Sequence, residues 1–200
     1  MLLLIKKLWA MLLVIALSIT FVSCISETGI DSKNDQIFRL ESEAPIPFDN
    51  PLVNLRMDPE MLKLLSNLRK ATAKYHRLEV AEENGYEMGS ECVSVPGLGG
   101  MGYHFVNFPA ITEGYDPANP QALLYEKTEN GHMQLVAVEF VIDKAFWDAE
   151  NDQPPFFGSR EFDFDDAMAL PFPNYQLHVW IWKNNPEGIF TQFNPKVSCE

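Results

Sequence analysis

The sequence predicts an α+β fold: one long N-terminal helix packed on an antiparallel β-sheet, with a long ordered acidic and aromatic loop. Three observations carry that expectation. Asp58-Pro59 is a helix-start signal, and the apolar residues after it recur at helical spacing. Asn130-Gly131, the strongest short hairpin signal, lies between two strand-like runs. Gln176 to Trp182, QLHVWIW, adds a strand rich in aromatic and branched residues.

The helix has an Asp N-cap, Pro at its first position and Glu60 in its first turn. Met61, Leu64, Leu65, Leu68, Thr72 and Tyr75 form one apolar stripe, and Asn84-Gly85 is the stop signal. The spacing thus predicts a helix from Pro59 to Glu83, roughly six or seven turns. Tyr103 to Phe108 alternates as a strand. Ala122–Lys127 and His132–Ile142 form the hairpin, and a two-residue turn would pair Glu129 with His132, Tyr125 with Val136 and Ala122 with Glu139. Asp143 to Tyr175 holds Pro154, Pro155, Pro171 and Pro173 among acids and aromatics. That content predicts an ordered, packed loop.

The ends set the compartment. Residues 1–23 have the layout of an export signal: Lys6 and Lys7, an apolar stretch from Leu8 to Ile19, then small or apolar residues up to Cys24. Phe21-Val22-Ser23-Cys24 resembles a bacterial lipobox. This predicts cleavage before Cys24, acylation of that residue (palmitate among the chains) and anchorage to a membrane of the cell envelope. Ordinary secretion is the alternative. Residues 24–57 read as a lipidated N-terminus and flexible tether, and 58–200 as a single globular domain.

Three cysteines leave an odd thiol in an exported chain, unless Cys24 carries lipid. Cys92 and Cys199 then remain, and a disulfide between them is favoured over two buried thiols. With 28 acidic against 15 basic residues and a net charge of −13, the chain is a poor partner for nucleic acid.

Gly97, Gly99 and Gly102 in PGLGGMGYHFVNFP spell G-x-G-x-x-G, but Pro96 precedes them and a strand follows. A dinucleotide turn needs strand before and helix after, so no nucleotide cofactor is expected and the glycines read as a turn into a strand. The sequence also lacks G-x-S-x-G, G-x-x-x-x-G-K-[ST], H-E-x-x-H and C-x-x-C.

What remains is sparse. His104 and His178 lie inside predicted strands, and Glu139 interrupts LVAVEFVI. A carboxylate in so apolar a strand must be paired, hydrogen-bonded or metal-bound. If those strands meet, His104, His178 and Glu139 suit one divalent transition metal: Zn, Fe or Cu. The geometric criterion is convergence within about 5 Å. Alternation also places His178 with Trp180 and Trp182. Two other readings stand beside the metal. Trp147, Phe156, Phe157, Trp180 and Trp182 would line an aromatic cleft for a small molecule or sugar, or the polar residues would form a structural network in an envelope lipoprotein.

ATAKYHRLEVAEENGY, ECV, GGMGYHFVN, PQALLYE, LVAVEFV and YQLHVWIWKNNPEGIFTQFNPKVSC together resemble a family of exported bacterial proteins with no established activity. The resemblance spans Ala71 to Cys199 and implies a pattern of residues, not a mechanism. The pattern falls on Tyr75, His76, Gly85, Tyr86, Cys92, Met101, Gly102, His104, Asn107, Glu126 and Glu139. It continues with His178, Trp180, Trp182, Asn185, Pro186, Gly188, Phe190, Asn194, Pro195 and Cys199. It implies a shared polar site. In the metal reading of that site, His76 or Glu126 would be a fourth ligand or supporting group, with Asn107 beside them, and Glu126 would be a general base should the site be catalytic.

Overall fold

A computed structural model of the chain describes residues 57–166 and 170–200. The expected export signal, the expected lipidation site Cys24 and the expected tether, up to residue 56, lie outside the described residues. No helix among the described residues is long and apolar enough to cross a membrane.

The chain is mostly antiparallel β, and the expected long helix is not formed. Helix α1 (Pro59–Thr72) starts where the Asp58 carboxylate accepts the Met61 amide at 2.9 Å. It ends after 14 residues. A 3-10 turn (Ala73–His76), an extended Arg77 and helix α2 (Leu78–Glu83) follow. The break is tertiary in origin. The Thr72 hydroxyl binds back to the Leu68 carbonyl at 2.8 Å while accepting the Trp182 indole N–H at 3.2 Å. The Tyr75 carbonyl is taken by the Tyr125 hydroxyl of the sheet at 2.6 Å. A carbonyl held by the sheet draws the chain out of the helical path, and the tighter turn lets Tyr75 seat against Tyr86.

Strands β1 (Glu87–Val95), β2 (Gly99–Val106), β3 (Ala122–Lys127) and β4 (Met133–Asp143) run as successive antiparallel neighbours. The segment expected as a loop contains helix α3 (Lys144–Asp148) and strands β5 (Phe156–Phe157), β6 (Arg160–Glu161) and β7 (Asp163–Asp165). Strand β8 (Asn174–Val179) then pairs with both β4 and β7, closing a curled six-stranded sheet in the order β1-β2-β3-β4-β8-β7.

The hairpin differs from the two-residue expectation. Gly131, at φ +80°, follows a turn closed by its amide on the Thr128 carbonyl (2.8 Å), and Thr128 pairs with His132. The loop is therefore Glu129–Gly131, a three-residue type with its left-handed residue at Gly131. That shifts the register by one, so Tyr125 faces Leu135. A bulge at Val136 then restores it, and Ala122 opposes Glu139. The bulged Val136 carbonyl is not wasted, since it accepts the Trp182 and Lys183 amides at 3.2 and 3.0 Å.

One sheet face, with Phe105, Leu123 and Tyr125, belongs to the main core together with Leu65, Leu68 and Tyr75. The other is concave. The C-terminal segment crosses the start of β2, where Gly100 and Asn194 exchange backbone hydrogen bonds at 3.1 and 3.0 Å. A disulfide joins Cys92 of β1 to Cys199. Gly99 and Gly100 make this crossing possible, and Gly102 lets β2 approach β3. A Cβ on Gly99 would lie 2.2 Å from the Asn194 carbonyl oxygen, and one on Gly102 would lie 2.3 Å from that of Tyr125. Most of the run is thus close-packed strand rather than an entry turn.

Gly97 and Gly99 share positive φ (85° and 98°), but a Cβ on Gly97 meets nothing. Gly97→Ala is expected to cost about 1–2 kcal/mol from backbone strain alone. Gly99→Ala should lose at least about 1 kcal/mol more, as the C-terminal segment is pushed off. Urea denaturation of both variants checks this; equal losses would contradict the close-packing account.

Candidate metal centre

Glu139 sits mid-strand in β4, directly opposite His178 of β8 on one side and Ala122 of β3 on the other. Paired residues share a sheet face, so the row Val106–Ala122–Glu139–His178 runs across the concave side. His104 lies two residues along β2 from Val106 and therefore on that same face. The methyl group of Ala122 is the only side chain directly between β2 and β4 in this row. The longer His104 and Glu139 chains approach one another across β3.

The three groups converge. His104 Nε2 is 3.7 Å from Glu139 Oε2, and His178 Nε2 is 3.6 Å from Glu139 Oε1. One ligand atom from each of the three lies within 4.8 Å of the others, and all three residues are buried. These separations exceed a hydrogen bond. The two His–Glu separations are a few tenths of an ångström wider than the roughly 3.0–3.5 Å expected between ligands of one ion with bonds of about 2.0–2.2 Å, and the limit of 4.8 Å on the widest pair lies more than an ångström beyond it. The group could hold a metal ion once the side chains rotate inward.

The orientation of both rings supports that use. The Ser90 hydroxyl, opposite His104 on β1, donates to the Glu91 carbonyl at 2.9 Å and also lies 2.9 Å from His104 Nδ1. A hydroxyl has one proton, so Nδ1–H is the donor to Ser90 and the lone pair of His104 falls on Nε2, facing Glu139. His178 Nε2 is buried with no hydrogen-bond partner. An orphaned ring nitrogen this deep needs a reason, and a metal provides one.

Burial dominates the electrostatics. It lowers His178 to about 3, with the His104 ring adding to the effect. It lowers His104 to about 4 against the opposing pull of the Gly102 backbone. It raises Glu139 to about 8, helped by the charge of Asp165. Without a cation the cluster is thus uncharged near neutrality, and the two His–Glu contacts are not ion pairs. Asp165, itself buried, accepts from Asn174 Nδ2 at 3.2 Å.

The cluster lies in the wall of a cavity of about 190 Å³, bounded by apolar side chains from β1, β2, β4 and the 3-10 turn at Pro109–Thr112. The other residues expected at the site lie elsewhere. His76 is exposed and packs edge-on against Trp182, 4.2 Å between centroids. The Arg69 guanidinium covers that same indole at 4.1 Å. Glu126 pairs with Lys183 and accepts the Ser198 amide at 3.0 Å, so it clasps the C-terminal segment and is not a base beside the cluster. Asn107 accepts the Ala110 amide at 3.1 Å, and its side chain lies towards Gly85.

The five aromatics do not form one cleft. Phe157 and Trp180 are fully buried, Phe156 is exposed, and Trp147 binds the Gln153 carbonyl. Strand β8 stops at Val179, where the Ile181 amide turns back to the Val179 carbonyl, so Trp180 and Trp182 do not share the face of His178. Sequence reasoning missed Ser90 and Asp165. The former is identified only by the β1–β2 pairing, and the latter lay within the segment expected as an ordered loop.

No protein-family profile, characterised protein or solved structure shows significant similarity to this chain.

At pH 7, Zn²⁺ binding is expected to release about one proton per ion. Glu139 keeps its proton up to about pH 8 and must lose it to coordinate, whereas both imidazoles are already neutral. Apparent affinity therefore rises with pH, by up to about tenfold per unit, and levels off above about 8. Calorimetry in buffers of different ionisation enthalpy measures the release. Zn²⁺ bound with no proton exchanged at pH 7 would contradict this assignment of charge.

Proposed function

We propose that this chain is an exported, lipid-anchored bacterial envelope protein whose domain carries one divalent transition-metal centre of Zn, Fe or Cu. The ligands are His104, Glu139 and His178, with coordination positions left open. The observation that carries the reading is the pair of imidazole Nε2 atoms, that of His178 without a hydrogen-bond partner, 3.6 and 3.7 Å from one buried carboxylate.

Two imidazoles and one carboxylate form a ligand set used for zinc with an exchangeable fourth position and for non-haem iron(II). Three protein ligands are too few to saturate either ion, and the free positions would face the cavity. A bound ion would polarise a ligand or activate water there. Ser90 would hold the His104 ring in its ligating tautomer. The export reading draws on Lys6, Lys7, the apolar stretch and Ser23-Cys24, and the Cys92–Cys199 disulfide supports an oxidising compartment. A lipid at Cys24 would hold the domain outside the cytoplasm at a membrane, and the acidic chain argues against nucleic acid as partner.

Elemental analysis of tag-free protein, loaded with Zn²⁺ and desalted, is expected to return about one ion per chain. A His104→Ala, His178→Ala double variant should return less than a tenth of that. Because that variant opens a cavity, Glu139→Gln provides a milder second test, with circular dichroism confirming the fold. Parent protein that binds none of Zn, Fe or Cu at stoichiometry overturns the proposal in favour of a purely structural network.

A further inference from the structure

The cavity beside the ligand group carries information about what would occupy the open positions. Besides the three ligands, its wall is made of Val93, Met101, Val106, Ile111, Val141 and Leu170, with Ala122 at the floor and Phe108 at the rim. Among the described residues that line it, the other polar side chains are Ser90, Gln176 and Gln192. Among the described residues that line it, none is Lys or Arg. The Ser90 proton is already committed to the Glu91 carbonyl.

Each fact excludes a class. Without a cationic side chain, a dianion such as a phosphate or dicarboxylate would bury a second charge unpaired. With so few free donors, a sugar would strip water from several hydroxyls and find partners for few of them. The ligand atoms are buried, with His178 and Glu139 only 4% and 6% exposed, so a polymer chain does not reach them. Size sets the remaining limit. A cavity of about 150 Å³ lined by apolar side chains accepts benzene, and this one is about 190 Å³.

We infer that the site takes a small apolar molecule, about one aromatic ring in size, bound to the metal through a single oxyanion head. This rests on the metal-centre reading. The metal supplies the one positive charge in the cavity and fixes the head, while the aliphatic wall selects the body. The polar Gln176 and the exposed Gln192 leave room for one further uncharged hydrogen bond.

The test uses the Co²⁺-loaded protein, whose visible absorption reports directly on the coordination sphere. Benzoate, acetate and inorganic phosphate are titrated in parallel. Benzoate is expected to perturb the spectrum to saturation at one equivalent and to bind at least about tenfold more tightly than acetate, through burial of its ring. Phosphate should bind no more tightly than acetate. Val93→Phe, which narrows the cavity without touching a ligand, should keep the Co²⁺ spectrum and lose the preference for benzoate. A normal Co²⁺ spectrum with benzoate and acetate equal, with phosphate preferred, or with Val93→Phe unchanged overturns this inference and leaves the metal centre standing. Failure to bind Co²⁺ at all overturns both.

Discussion

The Glu139 carboxyl is buried in the middle of an apolar strand, with no Lys or Arg among the described residues lining its cavity. Charged and unpaired, it would cost several kcal/mol. The chain answers with two neutral imidazoles, each presenting Nε2, held just too far away to hydrogen-bond directly. An ion between them would resolve every part of this at once. It would neutralise the carboxylate, satisfy the orphaned His178 nitrogen and use the lone pair that Ser90 leaves on His104. A hydrogen-bonded network would instead bring these groups to about 3 Å.

Keeping that arrangement depends on register. A slip of one residue in β4 would turn Glu139 to the helix-covered face and put an aliphatic chain in its place. Two irregularities of opposite effect prevent this: the three-residue loop ending at Gly131 and the bulge at Val136. The bulge serves twice, since its free carbonyl binds the chain just beyond β8 and so fixes the strand that bears His178. Beyond the end of β3, Gln121 Oε1 takes the Val141 amide at 3.2 Å, so β4 stays satisfied where its neighbour stops. On the far side, the Cys92–Cys199 bond and the Glu126–Lys183 clasp tie the C-terminal segment to β1 and β3. Ser90 is thereby kept opposite His104.

Features set by neighbours in sequence were legible, and features set by tertiary contacts were not. The Asp58 cap and the existence of a turn at Asn130-Gly131, though not its three-residue length, depend on a few adjacent residues, and the unusual placement of Glu139 shows in its own strand. The apolar stripe of the first helix continues past Thr72, so periodicity offers no sign of the break. That break comes from Tyr125 and Trp182, 50 and 110 residues away. The α+β expectation failed there, and again where the acidic segment supplied strand β7. His76, Glu126 and Asn107 are polar residues in distinctive motifs, yet each serves packing or chain clasping. A motif marks a constrained residue without saying what constrains it. Ser90 carries no local signature at all.

The most direct test of the centre is two-bond ¹H–¹⁵N NMR of the four histidine rings during a Zn²⁺ titration. The account predicts that the Nε2 resonances of His104 and His178 move together and saturate at one equivalent, with Nδ1 of His104 remaining protonated. His76 and His132, both exposed and away from the cluster, should not respond. Unmoved His104 and His178 rings, or a response confined to His76 and His132, would contradict it.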